Sequence, residues 1–174
     1  DALSQLYLAL RDPEAAVTEM KALLDIAPNA SRIRLRLAEV YAQTGNLPSA
    51  KADLMTCIAR SANWLPPYKR LALIYMSQDM VDSAEVIYNK ALTLVPDDAE
   101  IHNNLGYVFS VRGELDKAKA AYEKAMNSSK DAETLRDAQN NLEIIASIQA
   151  GKMRARHLLV KTETEAQDIL SQLK

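Results

Sequence analysis

The chain has 174 residues, of which 48% are hydrophobic and 25% are charged, a composition typical of one domain or one short repeat array. Its net charge of −2 gives no overall attraction to nucleic acid or to an anionic membrane surface. Cys57 is the single cysteine, which excludes an internal disulfide framework. No apolar run approaches the ~18 residues of a membrane helix, so we expect no direct membrane insertion. With 4 Gly and 6 Pro, the chain favours helices over sheets with many tight turns.

The sequence repeats itself, in four registers and without an insertion, at an interval of about 34 residues. Each repeat has a small residue, a large residue three positions later, a turn position, and two further small or apolar residues. These slots hold Ser4, Tyr7, Arg11, Ala16 and Leu23; Ala38, Tyr41, Gly45, Ala50 and Cys57; Ala72, Tyr75, Asp79, Ala84 and Ala91; and Gly106, Phe109, Gly113, Ala118 and Ala125. Apolar residues three, four and seven positions apart predict two amphipathic helices in each repeat. We expect the small residues to let the two helices approach closely.

Residues 1–132 therefore resemble tetratricopeptide repeats. The resemblance implies an all-α fold, a right-handed superhelical array of helix-turn-helix hairpins, with units at residues 1–30, 31–64, 65–98 and 99–132. The first unit begins about four residues late, inside its first helix, so we expect the chain to be cut from a longer array. Asn46, Asp82 and Asp116 lie beside the internal turns, where we expect them to cap the second helices.

A capping helix is predicted at residues 133–151, because a repeat array needs a final helix with one polar side to close its open end. Asp131 is its expected N-cap, and Gly151 is expected to end it.

The pattern changes at Lys152, where residues 153–160 are expected to form a short strand and Thr162 with Glu165 matches a capping box at the start of a helix. Residues 152–174 resemble the opening of a parvulin-type peptidyl-prolyl isomerase domain, on Arg-Ala-Arg-His-Leu-Leu-Val-Lys-Thr. The resemblance implies that His157 matches an active-site position. The family's second active-site His and its Cys or Asp partner are absent, so we predict no catalytic residue in this chain. Since a lone strand leaves its backbone groups unpaired, we expect the segment to be poorly ordered, docked on the repeats or paired with another chain.

The first helix of each unit lines the inner face of such an array. The helical period places nine candidate peptide-binding residues there: Arg32, Leu35, Arg36, Lys69, Arg70, Leu73, Asn103, Asn104 and Tyr107. The guanidinium group of arginine can form two parallel hydrogen bonds with a carboxylate, and asparagine can hydrogen-bond an extended peptide backbone. The pattern favours a groove for a peptide with acidic groups and apolar side chains. The alternative is an ordinary solvated face, on which some of these cations pair with Glu39 or Glu100.

Some tetratricopeptide proteins clamp a C-terminal carboxylate with a Lys-Asn-Asn-Lys-Arg set. Lys69 and Asn104 fit two of those positions, but Leu73 stands where an Asn is required, so we do not predict that clamp.

Other candidate residues are interpreted as structural. His102 falls in the slot of a packing aromatic and has no partners with zinc-like spacing, so we predict core packing and no metal site. Cys57 replaces a packing alanine and is expected to be buried and inert. Trp64 is interpreted as packing on the next helix, with a partly exposed anchor as the alternative. No phosphate loop and no Ser-His-Asp set are present.

We expect a protein-interaction scaffold, without enzymatic activity or a cofactor, that binds a protein or peptide. In its parent it would position clients for an attached isomerase. One alternative is a self-assembling structural module that forms homo-oligomers through the tail or the exposed first repeat. Another is a peptidyl-prolyl isomerase in the full-length parent. Parvulin-like domains fused to other modules are often extracytoplasmic in bacteria, and this resemblance favours that compartment over the cytoplasm.

Overall fold

The structure is a computed structural model that describes the backbone of residues 12–172 and the side chains of residues 12–153. Eight helices and no strand lie in this part of the chain, which confirms the all-α prediction for it. In chain order they are α1 (Pro13–Ile26), α2 (Ser31–Gln43), α3 (Leu47–Arg60), α4 (Leu65–Ser77), α5 (Val81–Leu92), α6 (Ala99–Val111), α7 (Leu115–Ser128) and α8 (Ala132–Gln172). The first-repeat slots at Ser4, Tyr7 and Arg11 lie outside the described residues.

The chain divides into two compact units, Asp1–Pro96 and Asp97–Lys174. In the first unit, α2 packs on α3 and α4 packs on α5 as helical hairpins, and α1 packs on α2. In the second unit, α6 and α7 form a hairpin on which α8 packs.

The turn inside each hairpin is closed in the same way. Its central residue has a left-handed backbone, with φ of 80° at Gly45, 58° at Asp79 and 74° at Gly113. The next residue donates its backbone N–H five positions back, from Asn46 to Tyr41 at 2.8 Å, from Met80 to Tyr75 at 2.9 Å and from Glu114 to Phe109 at 2.9 Å. This is a Schellman closure, which satisfies carbonyls that a helix end leaves unpaired. The three hairpin turns therefore share one backbone conformation, which the repeated turn position of the sequence allows.

The repeat's small and apolar slots form the cores of the hairpins. Ala50, Ala84 and Ala118 occupy one slot and are fully buried. A second slot holds Leu54, Tyr88 and Tyr122, which are also buried. Burial of one such large side chain stabilises the fold by about 1.5–3 kcal/mol. The packing of these slots thus supplies the helices with stability that their own propensity would not give.

Asn46 accepts a hydrogen bond from the Ser49 backbone N–H at 3.3 Å, which confirms it as the N-cap of α3. The same prediction for Asp82 and Asp116 is wrong, because α5 and α7 begin at Val81 and Leu115, one residue before each aspartate. Both carboxylates lie in a first helical turn, where negative charge still complements the helix dipole.

Helix α8 begins as expected and then continues past the predicted end. Asp131 accepts from the Thr134 backbone N–H at 2.8 Å, which confirms it as the N-cap. The predicted end at Gly151 is wrong, and so is the strand at residues 153–160, because α8 runs to Gln172. A helix pairs its backbone groups within itself, whereas a strand needs a neighbour that the described chain does not supply. A glycine inside a helix costs only about 1 kcal/mol relative to alanine.

The structure does not support the resemblance of residues 152–174 to the opening of a parvulin-type domain, because residues 153–160 lie in α8 and not in a strand. The backbone of His157 lies in α8, and its side chain lies outside the described residues.

Candidate functional site

A groove opens between the first helices of two successive hairpins in the first unit. Its cavity measures about 390 Å³, within the range of small-ligand sites. Residues of α2, α3 and α4 line it: Arg36, Ala38, Glu39, Ala42, Gln43, Leu47, Leu54, Arg70, Leu73, Ile74 and Ser77. We call this surface the arginine groove.

The arginines of the groove share one carboxylate. Arg36 Nη1 donates to Glu39 Oε2 at 3.3 Å, and Arg70 Nε donates to Glu39 Oε1 at 2.9 Å. Glu39 lies one turn after Arg36 on α2, and Arg70 reaches it from α4. The two guanidinium groups and the one carboxylate give this wall of the groove a net charge of +1.

The inner part of the groove is apolar. Leu54 and Ile74 are buried core residues, and Ala38 packs in the same cluster. Leu73 is 37% exposed, a large aliphatic side chain that is open to solvent beside Arg70. The arginine groove therefore combines cationic groups with an apolar cavity, which suits a ligand that carries both an apolar and an acidic group.

The structure brings together three of the nine predicted binding residues, since Arg36, Arg70 and Leu73 line the groove. Leu35 instead packs against the core cluster that contains Leu54. Arg32 is exposed and Lys69 is half-buried, and neither lines the cavity.

The other three predicted binding residues lie on α6 of the second unit. Asn103 Oδ1 accepts from Asn141 Nδ2 at 3.4 Å, and Asn104 is half-buried. Tyr107 is 56% exposed, and Val111 is 50% exposed one turn further along α6. These two side chains form a separate apolar surface on the second unit.

Several lining residues were missed by the sequence prediction. Gln43 lies one helical turn beyond Glu39, and Ser77 lies one turn beyond Leu73, so extending the same helical period by a turn would have found both. Leu47, Leu54 and Ile74 carried no such signal, since their pattern is that of ordinary core positions.

His102 and Cys57 are both buried, which confirms their interpretation as packing residues. The Cys57 thiol faces the Ser31 carbonyl oxygen at 3.5 Å, and burial raises its pKa to about 11. Trp64 is half-buried and occupies the N-cap position of α4.

Among the described side chains, no group of three or more His, Cys, Asp or Glu residues could hold a metal ion. No helix in the described part of the chain is long and apolar enough to cross a membrane.

Three overlapping matches to family models cover residues 7–131. They are a tetratricopeptide-repeat match at residues 7–74, a TPR-repeat match at 72–110 and a second tetratricopeptide-repeat match at 99–131. An uncharacterized protein of Haemophilus influenzae is 28% identical over 99 residues, which are 57% of this chain and 55% of that protein. The chain thus spans about half the length of this curated relative.

Solved structures share the fold at low sequence identity. MamA of Desulfovibrio magneticus, from residue 41 to its end, has a TM-score of 0.68 at 16% identity, covering 90% of this chain and 92% of its own. A tetratricopeptide repeat protein of Parabacteroides merdae has a TM-score of 0.75 at 16% identity, covering 92% of this chain and 64% of its own. The fold is consistent with a protein–protein interaction scaffold.

Proposed function

We propose that this chain, which belongs to the tetratricopeptide-repeat family, holds a segment of a partner protein in the arginine groove of its first unit. One arrangement supports the proposal: Arg36 and Arg70 flank a cavity of about 390 Å³ that is open to solvent and has an apolar inner part. Leu73 lies at the same wall and remains 37% exposed.

Each part of the groove would contact a different part of the partner. An apolar side chain in the cavity would bury its surface against Leu73 and Ile74, which is worth up to about 3 kcal/mol for a fully buried Leu or Phe. Acidic groups of the partner would accept charge-assisted hydrogen bonds from Arg36 and Arg70. The partner segment we propose is therefore acidic as well as apolar.

Tyr107 and Val111 would add a second contact surface on α6, because exposed aromatic side chains contribute large contact area at protein interfaces. Asn104 lies one turn before Tyr107 and would hydrogen-bond the partner's backbone. Lys69 and Arg32 would contribute charge near the groove without entering its cavity.

The proposed scaffold function does not require an attached isomerase. Self-assembly is the competing function.

Fluorescence polarisation tests the proposal with labelled eight-residue peptides whose termini are blocked and whose central Leu or Phe is flanked by Asp or Glu. We expect binding by the full chain and a loss of at least about tenfold in affinity in Arg36→Glu/Arg70→Glu, because two charge-assisted contacts become repulsive. Lys90→Glu/Lys124→Glu is the matched control, since it reverses two exposed lysines outside the groove.

Equal losses in both double variants would contradict the groove and indicate a general charge effect. Light scattering across a concentration series gives the second readout. A mass that rises with concentration, together with no affinity for any peptide, would overturn the proposal in favour of self-assembly.

A further inference from the structure

The carboxylate of Glu39 already occupies the position that an acidic ligand would take in the arginine groove. One of its oxygens accepts from Arg36 and the other from Arg70. Its side chain is 20% exposed, against 49% for Arg36 and 54% for Arg70. The groove therefore holds an internal counter-ion beneath two guanidinium groups that remain open to solvent.

The repeat explains why the two arginines meet. Arg36 and Arg70 occupy the same slot in successive repeats, on α2 and α4, so stacking of the hairpins brings the two cations side by side. Glu39 and Leu73 likewise share a slot, which holds an acid in one repeat and an aliphatic residue in the next. Among the described residues that line the groove, Glu39 is the only one with a carboxylate.

The two contacts leave much of each arginine unused. A guanidinium carries five N–H donors in a planar fork. Arg70 uses Nε on Glu39, so the outer edge of its fork, which matches a carboxylate in bidentate geometry, can make the first contact with an incoming carboxylate before Glu39 is displaced. Arg36 uses Nη1 at the longer distance of 3.3 Å. Ion pairs as exposed as these contribute little stability, so a second carboxylate can displace Glu39 at small cost.

We propose that Glu39 is a specificity-determining residue that competes with the ligand's carboxylate for Arg36 and Arg70. The inference rests on the proposed function, because it concerns the ligand of the same groove. The ligand is then a protein segment with at least one carboxylate beside an apolar side chain. The apolar side chain enters the cavity beside Leu73, and the carboxylate takes over the arginines from Glu39. A segment with only the apolar side chain cannot replace Glu39 at the arginines. A segment with only the carboxylate lacks the apolar burial that would favour its binding over Glu39.

Glu39→Gln tests this inference, because it keeps the shape of the side chain while removing the competing charge. The probes are the acidic, blocked peptides described above and matched peptides in which Asp and Glu are replaced by Asn and Gln. We expect Glu39→Gln to bind the acidic peptides about two- to fivefold more tightly than the unmodified chain, with a steeper dependence on salt. Binding of the amide peptides should not change.

Glu123→Gln is the matched control, since it removes the same charge from an exposed residue of α7 in the second unit. It should leave both affinities unchanged. A gain of equal size in Glu123→Gln would overturn the inference, because net charge alone would then explain it.

The outcomes separate the inference from the proposed function. If the unmodified chain binds the acidic peptides and Glu39→Gln binds them equally or less tightly, the inference is wrong and the groove function stands. If neither protein binds any peptide, both are wrong. Binding by Glu39→Gln alone would support the inference, since it would show that Glu39 blocks the arginines.

A spectroscopic measurement covers the case in which Glu39→Gln folds poorly. The NMR signal of the Arg70 Nε–H in the unmodified chain reports its bond to Glu39. Addition of the acidic peptide should shift this signal to a new position, and the amide peptide should leave it in place. An unchanged Arg70 signal at saturating acidic peptide would overturn the inference.

Discussion

Gly106 and Tyr122 are in closer contact than any residue with a side chain at position 106 would allow. A Cβ at Gly106 would lie 2.5 Å from both Cδ1 and Cε1 of the Tyr122 ring. The ring is buried between α6 and α7, and its hydroxyl lies 3.3 Å from the Ser110 hydroxyl. In the second unit, the residue at this repeat position must therefore be small because the Tyr122 ring leaves no room for a side chain.

Gly106→Ala should lower the free energy of unfolding by about 1–2 kcal/mol. Overpacking a well-filled core costs about 1–3 kcal/mol, and the better helix propensity of alanine offsets up to about 1 kcal/mol of that. Urea denaturation followed by circular dichroism measures the change.

Gly151→Ala is the matched control for that substitution. Gly151 also lies inside a helix, and a Cβ there meets no atom within 4 Å. The propensity gain should then appear alone, as an increase of up to about 1 kcal/mol. A stabilising Gly106→Ala would mean that the Tyr122 ring moves aside without cost.

Arg34 and Asp53 form a partly buried ion pair between α2 and α3, with Nη1 donating to Oδ1 at 2.8 Å. Their side chains are only 18% and 15% exposed. Removal of either residue therefore leaves the charge of the other poorly solvated. Arg34→Ala and Asp53→Ala should each cost about 2 kcal/mol, and a double-mutant cycle should give a coupling of about 1–2 kcal/mol.

The pair Lys119 and Glu123 provides the reference for that cycle. Its atoms are 3.9 Å apart, and both side chains are 53% exposed. The same cycle there should give a coupling below about 0.5 kcal/mol. Equal couplings for the two pairs would contradict the view that burial strengthens the Arg34–Asp53 contact.

Cys57 should make stability depend on pH in the alkaline range. Burial raises the pKa of its thiol from 9.0 to about 11, and the thiol of the unfolded chain titrates at the lower value. Above pH 9 the unfolded state therefore loses a proton that the folded state keeps. The free energy of unfolding should be unaffected by Cys57 below pH 9 and should fall between pH 9 and 11, by up to about 2 kcal/mol.

Cys57→Ala isolates this effect from other groups that titrate in the same range, including Tyr122, whose pKa burial also raises. The substitution should be tolerated, because Ala91 and Ala125 fill the same slot in the next two repeats. The difference in the free energy of unfolding between the unmodified chain and Cys57→Ala should change progressively from pH 9 to pH 11. A constant difference over that range would show that the thiol is not held in its neutral form.

The helical hairpins could be predicted from the sequence because their signals are local and repeated. Ala50 and Ala118 must be small where two helices cross, and Gly45 and Gly113 suit the left-handed position of a turn. The burial of His102 was predicted in the same way, from a repeat position that usually holds a packing aromatic residue. The strand at residues 153–160 was predicted wrongly because a local pattern cannot say whether a neighbouring strand exists to pair with it.

The composition of the arginine groove was only partly determined by the sequence. Helical periodicity placed Arg36, Glu39 and Arg70 on one face of the first helices, since that depends on spacing along each helix. The sequence indicated Glu39 as a partner for some of these cations, and the structure confirms that pairing. Only the tertiary structure decided that Glu39 accepts from both Arg36 and Arg70, and that Leu54 and Ile74 line the cavity beside them. Long charged side chains choose partners by distance in space, and Arg70 comes to Glu39 from a different helix. That distance is set by how the hairpins stack, which no pattern within one helix contains.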